Sequence, residues 1–291
     1  MRYKALIFDL DGTLTNTINA IAHFGNIALA AFDLPEIPVE DYKIYVGDGR
    51  DKLIHRMLGV YGKDNAEMFE KVRDVYDENY ENDYLYDTDA YDGIRELLEE
   101  LKENGIKIAV CSNKPDNVVH FVTDNIFGEN YFDAVHGVID GMPTKPNPFT
   151  ALEIAKKLGV KPSECLFLGD TNVDIFTAKN AEMTSVGVLW GFRTRNELVQ
   201  AGADYIGVGA VFGTSTKKNA RNLSLEKLQE ISSSVSIPVV AIGGINASNL
   251  MELAGSGVDG VAVVSAIFAA KDPGQATREL KVLAQKMVEH E

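Results

Sequence analysis

The sequence opens with two carboxylates one residue apart, Asp9 and Asp11, in the run Phe8-Asp9-Leu10-Asp11-Gly12-Thr13. The residues before them, 5–8, are apolar without alternation, the pattern of a strand buried on both faces of a parallel sheet. A regular strand would put Asp9 and Asp11 on one side. Gly12 predicts instead that the chain turns there, at the carboxyl end of the strand, where open α/β sheets hold their sites. Two acids so placed repel each other unless a cation or a phosphoryl group comes between them. Taken alone, an Asp-x-Asp is more often a solvated acidic turn.

Three further stretches change that balance. Ser112-Asn113 follows the apolar run 106–111, Lys145 precedes a helix in Lys145-Pro146-Asn147-Pro148, and Asp170 and Asp174 follow the run 165–168. Singly, each is weak: a serine after a strand commonly caps a helix, and a lysine before proline is commonly solvated. Together they supply several acids, a hydroxyl and an ammonium, the groups needed to bind a divalent cation and a phosphoryl group and to attack phosphorus. Phosphoryl transfer spreads negative charge over the equatorial oxygens, which a metal and a lysine must neutralise. A carboxylate can serve as nucleophile. A second carboxylate nearby can protonate the leaving alcohol and then take a proton from water. A hard cation such as Mg²⁺ suits carboxylate and carbonyl oxygens.

The elements that must position these groups alternate. Helical periodicity covers 18–32, 52–61 and 65–80, an insertion with Pro- and Gly-rich loops between its helices, and Asn16 or Thr17 is placed to cap the first of them. Strand and helix then alternate: strands at 106–111, 134–138, 165–169 and 185–190, with helices at 93–104, 115–126, 147–158 and 174–180. The alternation continues through strands at 204–208, 239–242 and 260–264 and helices at 224–234, 248–256 and 274–289. This predicts a Rossmann-like, doubly wound parallel α/β sheet. With 291 residues, two or three structural units are expected: a core of 1–17 and 88–203, a helical cap of 18–87, and a C-terminal unit of 204–291 with no linker before it.

The net charge of −15 argues against nucleic acid or an anionic membrane as partner. Cys111 and Cys165 both lie in apolar strand-like runs and read as buried free thiols. No basic, then apolar leader opens the chain, and the longest apolar stretch, 258–270, is too short to span a bilayer. The expected location is the cytoplasm.

In their order, Asp-Leu-Asp-Gly-Thr-Leu, Cys-Ser-Asn, Lys-Pro-Asn-Pro and Gly-Asp-Thr-Asn-Val-Asp resemble the haloacid dehalogenase superfamily, specifically its phosphoglycolate-phosphatase-like members with a small helical cap, over about 1–206. The resemblance implies Asp9 as nucleophile and Asp11 as general acid/base. It implies Mg²⁺ held by Asp9, the Asp11 carbonyl and Asp170, with Asp174 supporting the metal's waters or Lys145. Ser112 and Lys145 would hold the phosphoryl oxygens, with Asn113 beside them. Asn16 and Glu182 depart from the family's usual Asp and Gly without touching this chemistry. The stretch Val46-Gly47-Asp48-Gly49 looks like the cap's specificity loop. Arg50, Lys52, His55 and Arg56 could offer charge to an anionic substrate, although for each the plainer reading is a solvated helix face.

The C-terminal stretch differs. Thr214-Ser215-Thr216-Lys217, Ile242-Gly243-Gly244 and Val264-Ser265 resemble the last three βα units of thiamine phosphate synthase, a TIM barrel, over about 202–291. That resemblance implies a possible second phosphate site at Thr214, Thr216, Lys217, Gly244, Val264 and Ser265, set against a purely structural remnant. Three strands cannot close an eight-stranded barrel, so synthase activity is not expected of this chain alone. Gly-Ala-Asp-Tyr-Ile at 202–206 fits both families, which predicts a fusion sharing that strand, with the partial TIM-barrel (βα)3 fragment added to the edge of the phosphatase sheet. The expected function is a Mg²⁺-dependent phosphatase for a small phosphorylated metabolite. The alternative is a chimera whose second half is structural or phosphate-binding, with catalysis incidental. An unclosed fragment could also leave an edge covered by a homo-oligomer.

Overall fold

The computed structural model describes residues 3–212, 223–263, 265–268, 270 and 272–289. Its strands are β1 (Ala5–Phe8), β2 (Thr15–Asn16), β3 (Asp89–Ala90), β4 (Lys107–Pro115), β5 (Ala134–Val138), β6 (Cys165–Gly169), β7 (Thr184–Val188), β8 (Tyr205–Gly209), β9 (Val239–Ile242) and β10 (Gly260–Ala262). Eight of them form one sheet in the order β10-β9-β8-β7-β6-β1-β4-β5, with every pair parallel. β2 and β3 form a separate antiparallel ribbon where the chain leaves for the cap and returns from it.

β1 shows why an unalternating apolar run belongs inside a parallel sheet. Its side chains alternate between two cores, as strand geometry requires. Leu6 and Phe8 pack with the cap-side helix Ile18–Ala30, and Ala5 and Ile7 pack with the helix Phe149–Leu158. The cap is built on Ile18–Ala30, Arg50–Val60 and Ala66–Asn82, joined by the short helix Val39–Tyr42. They close over Phe24, Ile54, Met57, Leu58, Val72 and Tyr76, all buried. Tyr42 lies against Gly25, and its hydroxyl donates to Asn26 Oδ1 at 2.9 Å.

The C-terminal strands continue the same sheet. β8 pairs with β7 in parallel, Gly187 opposite Ile206, as the shared-strand reading requires. Asp204 pins the junction: its carboxylate accepts from the Ser185 N–H and hydroxyl at 2.8 and 2.7 Å, and its own N–H donates to Ser185 Oγ at 3.0 Å. A third core, Ile206, Val208, Val239, Ala241, Leu228 and Leu280, takes in Ile175 and Leu198 from the preceding helices.

Several elements differ from the pattern read in the sequence. A helix at Arg195–Ala201 was not expected. In place of a helix over 248–256 there is only the 3₁₀ turn Leu250–Leu253, because Asn246 and Asn249 side chains take up the local backbone donors. Thr17 stands at the start of the first cap helix, but its side chain makes no capping bond. Both cysteines are buried and free, and burial pushes the Cys111 thiol up to about 12. No helix among the described residues is long and apolar enough to cross a membrane.

Candidate active site

β1, β4 and β6 run side by side in parallel, Phe8 opposite Val110 and Leu168, and β4 continues to Pro115, so the residues beyond that level are gathered together. Asp9 follows β1, Ser112 and Asn113 lie in the last part of β4, and Asp170 and Asp174 follow β6. The turn after β1 is set by Gly12, at φ +89°, where a Cβ would fall 2.4 Å from Asp170 Oδ2. Only glycine combines that backbone with that approach.

Asp9, Asp170 and Asp174 are all buried, and each offers an oxygen within 4.8 Å of the others. Lys145 enters from the loop before the helix Phe149–Leu158, with its Nζ 2.8 Å from Asp9 Oδ1 and 2.6 Å from Asp174 Oδ1. Asp170 accepts from Thr13 Oγ1 at 3.1 Å and from the Phe192 N–H at 2.7 Å. Asp174 Oδ2 accepts from the Thr171 hydroxyl and N–H, at 2.7 and 3.0 Å, a capping box that opens the helix Asn172–Asn180.

Three carboxylates therefore face one ammonium. Burial and then the Asp174 charge push Asp9 up to about 7, against the pull of Lys145. The same two causes hold Asp170 well above the usual carboxylate range. Burial would lower Lys145, but Asp174 and Asp9 outweigh it and hold its ammonium above the ordinary lysine value. An all-oxygen donor set with surplus negative charge fits a hard divalent cation of the Mg²⁺ kind.

Asp11 turns away from this cluster. It is one-fifth exposed and pairs with Lys114 Nζ at 3.0 Å. Lys114 was missed by the sequence reading: it looks like an ordinary lysine after Ser112-Asn113, and only the length of β4 brings it, buried, into the site. Burial would lower its ammonium, but Asp11 and Tyr80 raise it above the usual value. The Ser112 hydroxyl accepts from the Lys114 N–H at 3.2 Å. The Asn113 amide is engaged at both ends: it donates to the carbonyls of Gly47 and Lys145, each at 3.1 Å, and accepts from the Lys145 N–H at 2.8 Å.

Between core and cap lies a cavity of about 220 Å³. Asp9, Asp11, Ser112 and Lys114 line it from the core, and Gly47, Arg50, Tyr76, Asp77 and Tyr80 from the cap. Of the four cap cations, Arg50 alone lines this cavity, already paired with Asp77 at 2.7 Å. Lys52 and Arg56 pair with Asp48, and His55 with Asp64.

Thr214, Thr216, Lys217 and Val264 lie outside the described residues. Gly244 sits at φ +63° after β9, packed on Phe212, and Ser265 opens the four-residue helix Ser265–Phe268.

With this geometry in view, comparisons place the chain. Residues 6–188 match the family of haloacid dehalogenase-like hydrolases. The chain belongs to that family. The phosphoglycolate phosphatases of Mannheimia succiniciproducens and Vibrio parahaemolyticus are each 32% identical to it, over 70% of this chain and 94% and 91% of their own lengths. Among solved structures, a candidate phosphoglycolate phosphatase from Lactobacillus delbrueckii subsp. bulgaricus superposes with a TM-score of 0.67 at 31% identity, over 71% of this chain and 94% of that one. A point mutant of CbbY from Rhodobacter sphaeroides, in complex with xylulose-1,5-bisphosphate, gives 0.59 at 25%, over 70% and 93%. Residues 168–267 match thiamine monophosphate synthase, which supports the fusion. The two matches overlap over 168–188, which takes in the end of β6, the helix Asn172–Asn180 and β7.

Proposed function

We propose that this chain is a Mg²⁺-dependent phosphatase of small phosphate monoesters, phosphoglycolate-like in size, working through an aspartyl-phosphate on Asp9. The observation that carries the reading is Asp9 at the floor of the interdomain cavity with Lys145 Nζ at 2.8 Å, and with Asp11 and Ser112 opening into the same space.

Asp9, the Asp11 carbonyl and Asp170 would hold the cation, with Asp174 behind them. When bound, it neutralises phosphoryl charge and keeps Asp9 ionised. Ser112 and Lys145 hold the phosphoryl oxygens. An Asp9 oxygen attacks phosphorus as the bond to the leaving oxygen breaks, and Asp11, entering the step as its protonated acid, delivers that proton to the leaving oxygen. Water then attacks the phosphorus of the aspartyl-phosphate, Asp11 takes its proton, and orthophosphate leaves with Asp9 restored. The relatives named phosphoglycolate phosphatase support the substrate size. The contact with Lys114 Nζ at 3.0 Å holds the ionised Asp11 side chain at the cavity wall.

Assays with p-nitrophenyl phosphate and phosphoglycolate, with Mg²⁺ and with EDTA, test this. Turnover should require Mg²⁺ and vanish in Asp9→Asn. Equal rates in Asp9→Asn, or no turnover of any ester in a broad panel, would refute it.

A further inference from the structure

The residues between β7 and the helix Arg195–Ala201 tie three parts of the site together. Trp190 Nε1 donates to the Thr13 carbonyl at 3.0 Å, which fixes the turn after Asp9. Gly191 packs so closely that a Cβ would stand 2.3 Å from Asp170 Cβ and 2.4 Å from the Gly12 carbonyl oxygen. The Phe192 N–H donates to Asp170. The next residue, Arg193, turns to the cap.

The Arg193 guanidinium donates to the carbonyls of Lys43 and Val46, the latter at 2.8 Å. Its side chain is 7% exposed, and its Nε lies 3.1 Å from Glu197 Oε1 as an ion pair. A planar fork with five donors can meet two neighbouring carbonyls and a carboxylate at once, which a lysine cannot. The carbonyls it meets lead into the loop whose Val46, Gly47 and Gly49 line the cavity. Arg193 itself does not line it.

We infer that Arg193 is a positioning residue that latches the cap loop over the active site in fixed register with Asp170. The register comes from the backbone: the residue bonded to Asp170 is the immediate neighbour of the one bonded to the cap. Asn113, donating to the Gly47 carbonyl, is the second point of attachment. Removing Arg193 therefore loosens one end of the loop and leaves the other tied. For its catalytic consequence this inference rests on the phosphatase reading; the latch itself does not.

The test uses the full chain with Arg193→Met and Arg193→Lys. Hydrogen exchange followed by mass spectrometry reads the latch without any substrate. Losing two bonds from a charged, buried donor should speed exchange in residues 43–53 roughly ten-fold or more in Arg193→Met. Peptides covering β1, β4 and β6 should stay within about two-fold of wild type, since a loop opening leaves core strands protected. kcat/KM for the best ester should fall by a comparable factor, with Arg193→Lys in between. Unchanged exchange in the loop, equal acceleration in core and loop, or fast loop exchange with kcat/KM unaltered would each overturn the inference. If the wild type turns over no ester, the phosphatase reading falls, and the contrast between loop and core exchange still decides the latch.

Discussion

Stripping divalent cations with EDTA leaves Asp9, Asp170 and Asp174 facing Lys145 alone, and the fold then bears the cost of ionising them. For Asp9 the carboxyl rises from 3.8 to about 7. A group whose folded value is raised favours folding below its unfolded value and loses that contribution as pH climbs through the folded one. Stability of the cation-free protein should therefore fall between pH 4 and 7. A rise of about 3 pH units corresponds to about 4 kcal/mol, of which ~3 kcal/mol is lost between pH 5 and 8. At roughly 2 °C per kcal/mol for a chain of this size, Tm in EDTA should drop by ~6 °C over that interval. Asp170, also raised, deepens the fall. Saturating Mg²⁺ should remove the dependence, because a cation bound by these carboxylates would keep them ionised at every pH above their lowered values. Differential scanning calorimetry in matched buffers gives the difference between the two curves, so titrations elsewhere cancel. Mg²⁺ should stabilise far more at pH 8 than at pH 5. Parallel curves would show that these carboxylates are not the cation's ligands.

Other substitutions have signs that the packing decides. Lys114→Met leaves the Asp11 carboxylate with no ammonium in a largely buried wall, so it should cost ~2–4 kcal/mol, and adding Asp11→Asn should recover part of the loss by denaturant unfolding. Gly25→Ala gains about 1 kcal/mol of helix propensity but drives a methyl within 2.5 Å of the Tyr42 hydroxyl, so thermal melting should show net destabilisation. Gly12→Ala meets both a positive φ and Asp170, and should weaken Mg²⁺ affinity in calorimetric titration as well as lower Tm. Burial and the Glu103 charge push Glu100 up to about 7, so Glu100→Gln should raise Tm at pH 8 and leave it unchanged at pH 4.

Much of the candidate site was legible because its residues stand beside apolar runs that read as buried strands, or just before helices. Asp9, Ser112, Lys145, Asp170 and Asp174 each follow an apolar run or precede a helix, and the parallel sheet brings such positions together. Lys114 was hidden because nothing local says that β4 runs on to Pro115. Arg193 was hidden for a different reason: its partners are backbone carbonyls 147 and 150 residues away, and carbonyls have no sequence signature. The helix Arg195–Ala201 did carry a signal, Thr194 with Glu197 three residues on. The Thr194 hydroxyl does accept the Glu197 N–H, at 3.4 Å, but seven residues are too few to show a period. The two-residue ribbon of β2 and β3 lies below the length at which alternation can be read.

The pairing of β8 along β7 also bears on how such chains can grow. A strand joining a parallel sheet needs only an open edge, a matching register and a helix to cover it. Two strands, β7 and β6, separate β8 from β1, so units joined at that margin leave the neighbours of β1, which are β4 and β6, untouched. The margin is nonetheless an internal seam: the Leu189 N–H donates to the Gly207 carbonyl at 3.3 Å, one residue before the Trp190 that braces the turn after Asp9. β8 therefore stands directly behind that brace. Cutting the chain after Gly202 would expose Val186 and Val188 along β7, whose other neighbour is β6.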